Sequence, residues 1–237
     1  MPTDALFRDA PYERSCEAVV TSADADGIML DRTVFYATSG GQPGDTGQLS
    51  LADGATFEVI ETVKGDGDGI IHKLAEGTPL PTVGSTLRAE INWARRHRHM
   101  RMHTCLHLLT AVISAPITGA QLTDEKGRID FNLPEMTMDK AEIQARLNEL
   151  ITEDHPVVAN WISEADLDAR PELIKTMSIR PPVGAGRIRL IGIDGIDLQP
   201  CGGTHVARTG EIGNVTVRKI ESKGKQNRRI SVVFADG

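Results

Sequence analysis

Apolar and polar positions alternate in short runs through the first 91 residues, at 17–21, 47–51, 56–63, 70–74 and 86–92. Clusters of Gly, Asp and Pro separate the runs, as in Lys64-Gly65-Asp66-Gly67-Asp68-Gly69. Period-two alternation bounded by turn residues predicts close-set strands, and several of them with almost no helical period predict a small all-β barrel. The Gly/Asp run lacks the length and the glutamate of a calcium loop and reads as a hairpin turn. At Trp93–Ala94 the period changes, dividing the chain into domains at 1–93 and 94–237. From there to about Ser114 the pattern is helical, ending before Pro116, with Leu106, Leu109, Val112 and Ile113 forming one buried stripe. Beyond it, strands are expected at 128–133, 156–162, 187–193, 214–220 and 228–234. Asp139 with Glu142 predicts a capped helix carrying Ile143, Leu147, Leu150 and Ile151 on one face, and Ser163 with Asp166 caps a shorter one. Strands returning through short turns, with helices gathered on one side, define an α+β domain with a mainly antiparallel sheet.

Two segments stand out from this pattern. His103-Thr104-Cys105-Leu106-His107 lies on the predicted helix, where residues four apart share a face, so His103 and His107 aim two imidazoles at one point. Cys201-Gly202-Gly203-Thr204-His205 repeats the spacing with a thiol and a third imidazole. The two pairs account for four of the ten Cys and His residues. Three nitrogens and one sulfur suit Zn²⁺, which favours tetrahedral sites of mixed N and S ligands. Gly202 and Gly203 would let backbone approach a metal or ligand closely. Cys105, two positions from His103, points to another face and reads as a small core residue. A third segment, 33–47, places Phe35 and Tyr36 close to a Gly40-Gly41-Gln42 tip. It suits either a loop that closes over a ligand or a long hairpin connection.

Composition adds limits. Hydrophobic residues make up 40% and charged residues 25% of 237 positions, as in an ordinary globular protein. Three scattered cysteines are no disulfide framework, and no signal-like or membrane-spanning apolar run is present, so a reducing cytoplasmic setting is expected. The net charge of −7 argues against indiscriminate nucleic-acid binding. It is unevenly placed, however. Residues 1–90 carry 6 basic against 15 acidic side chains, and 91–237 carry 20 against 18. The basic groups cluster at Arg95, Arg96, Arg98 and Arg101 and at Lys223, Lys225, Arg228 and Arg229, giving a local face able to hold a polyanion.

The loop Phe35-Tyr36…Gly40-Gly41-Gln42-Pro43-Gly44-Asp45-Thr46-Gly47, the helix His103-Thr104…His107-Leu108-Leu109 and the segment Gln199-Pro200-Cys201-Gly202-Gly203-Thr204-His205 occur in order. Lys219-Ile220-Glu221-Ser222-Lys223-Gly224, with Asn227-Arg228-Arg229, follows them. Together they resemble the free-standing alanyl-tRNA editing proteins, the AlaX family in its medium-length class, and the editing part of alanyl-tRNA synthetase. Cys105 departs from the small alanine common there. The resemblance implies a barrel like those of translation proteins joined to an α+β editing domain. It also implies a trans-editing hydrolase that deacylates Ser-tRNA(Ala) and Gly-tRNA(Ala). By matching position, Thr38 meets the serine hydroxyl, Gln42 forms part of the same pocket wall, and His103, His107, Cys201 and His205 hold one zinc ion per chain. Gly40, Gly41, Gly202, Gly203 and Thr204 are expected beside the substrate, with Arg95, Arg98, Lys223, Lys225 and Arg228 on tRNA.

Four protein ligands close a tetrahedral zinc, and closed sites are usually structural. Either one ligand stands off, for which His205 is the candidate, or the metal only anchors the site. An alternative reading is a non-catalytic, zinc-stabilised tRNA-binding module. A zinc peptidase is disfavoured, because Thr104, Cys105 and Leu106 separate the two His and no glutamate base follows the first. A monomer or weak dimer with no obligate protein partner is expected.

Overall fold

Six antiparallel strands close into a barrel. This is a computed structural model, and it describes residues 2–177 and 186–235. The chain divides into two units, Met1–His97 and Arg98–Gly237. In the first, β1 (Asp4–Ala5), β2 (Ser15–Asp24), β3 (Gly27–Leu30), β4 (Arg32–Thr33), β5 (Gly47–Leu51), β6 (Thr56–Lys64), β7 (Ile70–Leu74) and β8 (Thr86–Ile91) follow in order. The barrel order is β2-β3-β7-β6-β5-β8, with β8 pairing back to β2. Along β8, Leu87, Ala89 and Ile91 face in while Thr86, Arg88 and Glu90 face out. They join Val20, Ile28, Leu30, Phe35, Leu49 and Val59 in the core. A register shift between Val59 and Glu61 changes the phase of β6, so Thr62 turns inward and Ile60 is left 49% exposed.

One histidine lies inside this barrel. His72 bonds the Ile28 carbonyl through Nδ1 (3.0 Å) and Thr33 Oγ1 through Nε2 (2.8 Å), with Phe35 edge-on at 5.1 Å. A neutral ring that donates from Nδ1 and accepts at Nε2 satisfies both bonds. Burial pushes its pKa down to about 4. Between about pH 6.5 and 4 the unfolded chain therefore binds a proton that the folded one refuses, and stability falls as pH falls through that window. The loss approaches roughly 3 kcal/mol at the acid end. His72→Asn is expected to flatten that part of the pH dependence relative to the parent, as read by thermal unfolding at pH 7, 5.5 and 4.

The helix α1 (Trp93–Val112) crosses the boundary between the units. The second unit continues with β9 (Ile117–Leu122), β10 (Lys126–Asn132), α2 (Lys140–Thr152), β11 (Val157–Ser163) and α3 (Glu164–Asp168). It ends with β12 (Arg187–Ile193), β13 (Asp197–Pro200), β14 (Val215–Ser222) and β15 (Asn227–Phe234). These strands make two antiparallel sheets, β14-β15-β10-β9 and β11-β12-β13. The expected capping boxes are present at Asp139/Glu142 and Ser163/Asp166. Asn148 and Gln144 on α2 bond the backbone of Val215 and Val217, covering the edge strand β14.

The stripe expected on α1 is too narrow. Side chains from Met102 to Thr110 are all buried, so the helix is enclosed rather than half-solvated. β10 approaches it so closely that a Cβ at Gly127 would lie 2.8 Å from Met102 Sδ. The enclosed face carries His103, Thr104, His107 and Thr110, polar groups that require partners. Among the described residues no helix is long and apolar enough to cross a membrane.

Candidate metal centre

Helix α1 presents His103 and His107 one turn apart, and the loop leaving β13 brings in Cys201 and His205. The ligand atoms of the four side chains all lie within 4.8 Å of one another. Cys201 Sγ is 3.5 Å from His103 Nε2 and 3.3 Å from His205 Nε2. The loop is held from behind. The Cys201 amide donates to the Arg189 carbonyl (3.0 Å), and Arg189 Nη1 donates to the carbonyls of Cys201 (3.1 Å) and Gly203 (2.8 Å).

Hydrogen bonds set two of the rings. Asp197 Oδ2 lies 2.9 Å from His107 Nδ1, so Nδ1 carries the proton and the Nε2 lone pair points away from the carboxylate. Thr104 donates its hydroxyl proton to the Met100 carbonyl, so toward His205 Nδ1 (3.1 Å) it can only accept. His205 is thereby also an Nδ1–H tautomer, with Nε2 free to ligate. Burial alone would lower the pKa of His107, but the Asp197 hydrogen bond and the nearby Cys201 raise it to about 9, so a bound metal would displace a second proton from Nε2. His205 is lowered to about 3 by burial and by its neighbour His103. Burial opposes ionisation of the Cys201 thiol. The imidazoles of His103 and His205 outweigh it and hold its pKa well below the usual thiol value. A thiolate and correctly tautomerised imidazoles form the donor set of a thiophilic divalent metal, so the residues present fit such an ion. Cys105 is fully buried, and its thiol is pushed up to about 12 by burial, as befits a core residue.

The segment at 33–47 is a braced hairpin in the first unit. Ser39 and Gln42 exchange backbone hydrogen bonds across Gly40 (φ +56°) and Gly41 (φ +84°), the two positive φ values that a tight primed turn needs. Gln42 is fully buried and Thr38 is exposed. Thr38 Oγ1 accepts from the Gly44 amide (2.7 Å) and reaches the Thr62 carbonyl (3.3 Å). At the base of the hairpin Asp45 accepts from the Tyr36 amide (2.7 Å) and from Arg96 Nε (2.9 Å to Oδ2). Arg96 also donates to the carbonyls of Pro11 (3.1 Å) and Val34 (2.6 Å) and is fully buried.

The basic run on α1 is in part engaged within the protein. Arg96 is a core residue, Arg95 donates to the Gly44 carbonyl (2.6 Å), Arg98 to the Asp124 carbonyl (2.6 Å) and Arg101 to the Ile212 carbonyl (2.7 Å). Lys223 and Lys225 stand exposed on the turn between β14 and β15. Arg228 beside them donates to the carbonyls of Gly224 (3.2 Å) and Pro134. Gly202 is exposed with open space at its Cα, while Gly203 and Thr204 are buried. Asp197, Gln199, Lys175, Thr104 and Thr110 have roles here that sequence reasoning missed. The one signal available was the spacing of Asp197 and Gln199, which puts both on one side of a strand running straight into Cys201.

Residues 3–95 match the family described as tRNA synthetases class II (A). Residues 188–231, which include Cys201 and His205, match the Threonyl and Alanyl tRNA synthetase second additional domain. The two matches place this convergent His/Cys cluster in a synthetase-related chain. The Alanyl-tRNA editing protein AlaX-M of Methanosarcina acetivorans is 40% identical over 248 residues, covering 99% of this chain and 100% of the relative. That of Saccharolobus solfataricus is 32% identical over 232 residues, covering 96% and 97%. The Alanine–tRNA ligase of Saccharolobus islandicus strain M.14.25 is 34% identical over 230 residues, covering 93% of this chain and 25% of the ligase. The chain belongs to the AlaX-M family of alanyl-tRNA editing proteins.

Proposed function

We propose that this protein is an aminoacyl-tRNA deacylase that hydrolyses the ester of tRNA(Ala) mischarged with serine, and also with glycine. The observation that carries the reading is the convergence of His103, His107, Cys201 and His205 in a chain of this family. The ion is proposed to be zinc, one per chain, which when bound supplies Lewis-acid stabilisation of the charge that develops on the ester carbonyl. His205 is the proposed ligand that yields. Its outer nitrogen is held by a neutral threonine hydroxyl, whereas that of His107 is held by a carboxylate. Lys223, Lys225 and Arg228 on the β14–β15 turn, with Arg95 and Arg98, are the proposed cationic contacts to tRNA phosphates. Gly40, Gly41, Gly202, Gly203 and Thr204 are proposed beside the aminoacyl end.

Rejecting alanine is the harder task, because a pocket that admits serine also admits the smaller side chain. Discrimination must come from a polar group left unsatisfied when alanine is bound. Thr38 is the proposed group, and Gln42 the adjoining wall. The two hydrogen bonds at Thr38 Oγ1 fix its orientation and leave one lone pair for a serine hydroxyl. Thr38→Val is expected to narrow the Ser/Ala discrimination about tenfold while leaving glycine-ester cleavage nearly intact. Deacylation rates on Ser-, Gly- and Ala-charged tRNA(Ala) measure this directly. The same three substrates, with and without a zinc chelator, test the function itself. Cleavage of the mischarged forms that chelation abolishes is expected, and absence of turnover on all three would refute the proposal.

A further inference from the structure

Behind His107 lies a chain of charges that reaches the surface. Asp197 divides its two oxygens: Oδ2 accepts from His107 Nδ1 (2.9 Å) and from Gln199 Nε2 (2.8 Å), and Oδ1 accepts from Lys175 Nζ. The Asp197 side chain has no solvent exposure, while Lys175 is 24% exposed. The Lys175 ammonium also lies 3.4 Å from Thr110 Oγ1, and Gln199 Nε2 lies 3.1 Å from the same oxygen. Lys175 is not placed by its side chain alone. Its carbonyl accepts from the Ile117 amide (2.8 Å) and the Met177 amide donates to the Ile117 carbonyl (2.9 Å), clamping this segment to the start of β9.

A buried carboxylate is costly unless its charge is matched and its lone pairs are filled. Lys175 supplies the charge and Gln199 fills a further site, which leaves the Oδ2 edge turned toward His107. The imidazole is thereby fixed in one tautomer and one ring orientation, with Nε2 toward Cys201 and His205. His205, by contrast, meets the neutral hydroxyl of Thr104 at its Nδ1 (3.1 Å).

We infer that Asp197 is a positioning residue for His107, held in place by Lys175, and that this pair sets how tightly the centre grips its ion. The inference rests on the metal-centre reading above and can fail separately from it.

The test uses the full-length protein, stripped with chelator and titrated with Zn²⁺ against a chromophoric competitor. Co²⁺ titrations read the thiolate-to-metal absorption. Asp197→Asn, which keeps the shape and removes the charge, is expected to weaken metal binding about 10- to 100-fold. Lys175→Met is expected to weaken it severalfold. The double variant should be no weaker than Asp197→Asn alone, because Lys175 acts through the carboxylate. Long-range ¹H–¹⁵N spectra of the imidazoles supply a readout that a general loss of packing would not mimic, with His107 losing its single tautomer in Asp197→Asn while His205 keeps its own. An Asp197→Asn affinity within twofold of the parent overturns the inference. Should that variant not fold, a Lys175→Met affinity within twofold does so instead. Failure of the unsubstituted protein to take up either metal would count against the centre itself.

Discussion

Cys201→Ala is expected to yield a folded protein that purifies with essentially no zinc and deacylates Ser-tRNA(Ala) slower by on the order of 10²–10³. The thiolate is the one sulfur among the four convergent candidate ligands, and both His103 and His205 face it. Its removal leaves three imidazoles that must share an ion without the anionic ligand that offsets its charge. His205→Ala should behave differently. His103, His107 and Cys201 still form a three-ligand site, so the variant should retain a substantial fraction of its metal while losing most of its activity. Metal analysis and deacylation rates on the same preparations separate the two cases. Equal metal loss in both variants would remove the distinction between a holding and a yielding ligand.

Asp45→Asn is expected to destabilise the N-terminal unit by about 3–5 kcal/mol, visible as a fall in Tm on the order of 10–20 °C or more. Arg96 is 0% and Asp45 1% exposed at the side chain, so the substitution strands a guanidinium charge in the core. The same carboxylate ties the two ends of the hairpin through the Tyr36 amide, so loosening should extend to the Gly40-Gly41 turn. Paired substitution of both partners, Asp45→Asn with Arg96→Met, should recover much of the loss, because it removes the unmatched charge. Recovery in the double variant is what identifies charge burial as the cause. A double variant no more stable than Asp45→Asn would assign the loss to the hydrogen bonds of Arg96 with Pro11 and Val34.

Features governed by local rules were readable from the sequence, and features made by distant contacts were not. The His103/His107 pair was legible because helix geometry alone places residues four apart on one face. The capping boxes at Asp139 and Ser163 were legible for the same reason. The strand β13 was not, since Asp-Leu-Gln-Pro is only four residues long, has no β-branched residue and turns its polar side chains inward. β9 hid behind Gly119, and β3 is only four residues long. Arg96 looked like one more surface cation in a basic run, because nothing near it in sequence announces that Asp45, 51 residues earlier, needs a buried partner. The supports of the metal centre have the same character. Asp197 meets His107 across 90 positions and Thr104 meets His205 across 101. The candidate ligand pairs followed from spacing, whereas the groups that orient them depend on how two sheets and a helix pack.

X-ray absorption at the zinc edge of the purified protein examines the four-ligand centre most directly. One sulfur at about 2.3 Å and nitrogen ligands at about 2.0–2.1 Å are predicted, with the sulfur signal absent from any metal retained by Cys201→Ala. Zinc surrounded by oxygen and nitrogen alone in the unsubstituted protein would contradict a shared site of His103, His107, Cys201 and His205.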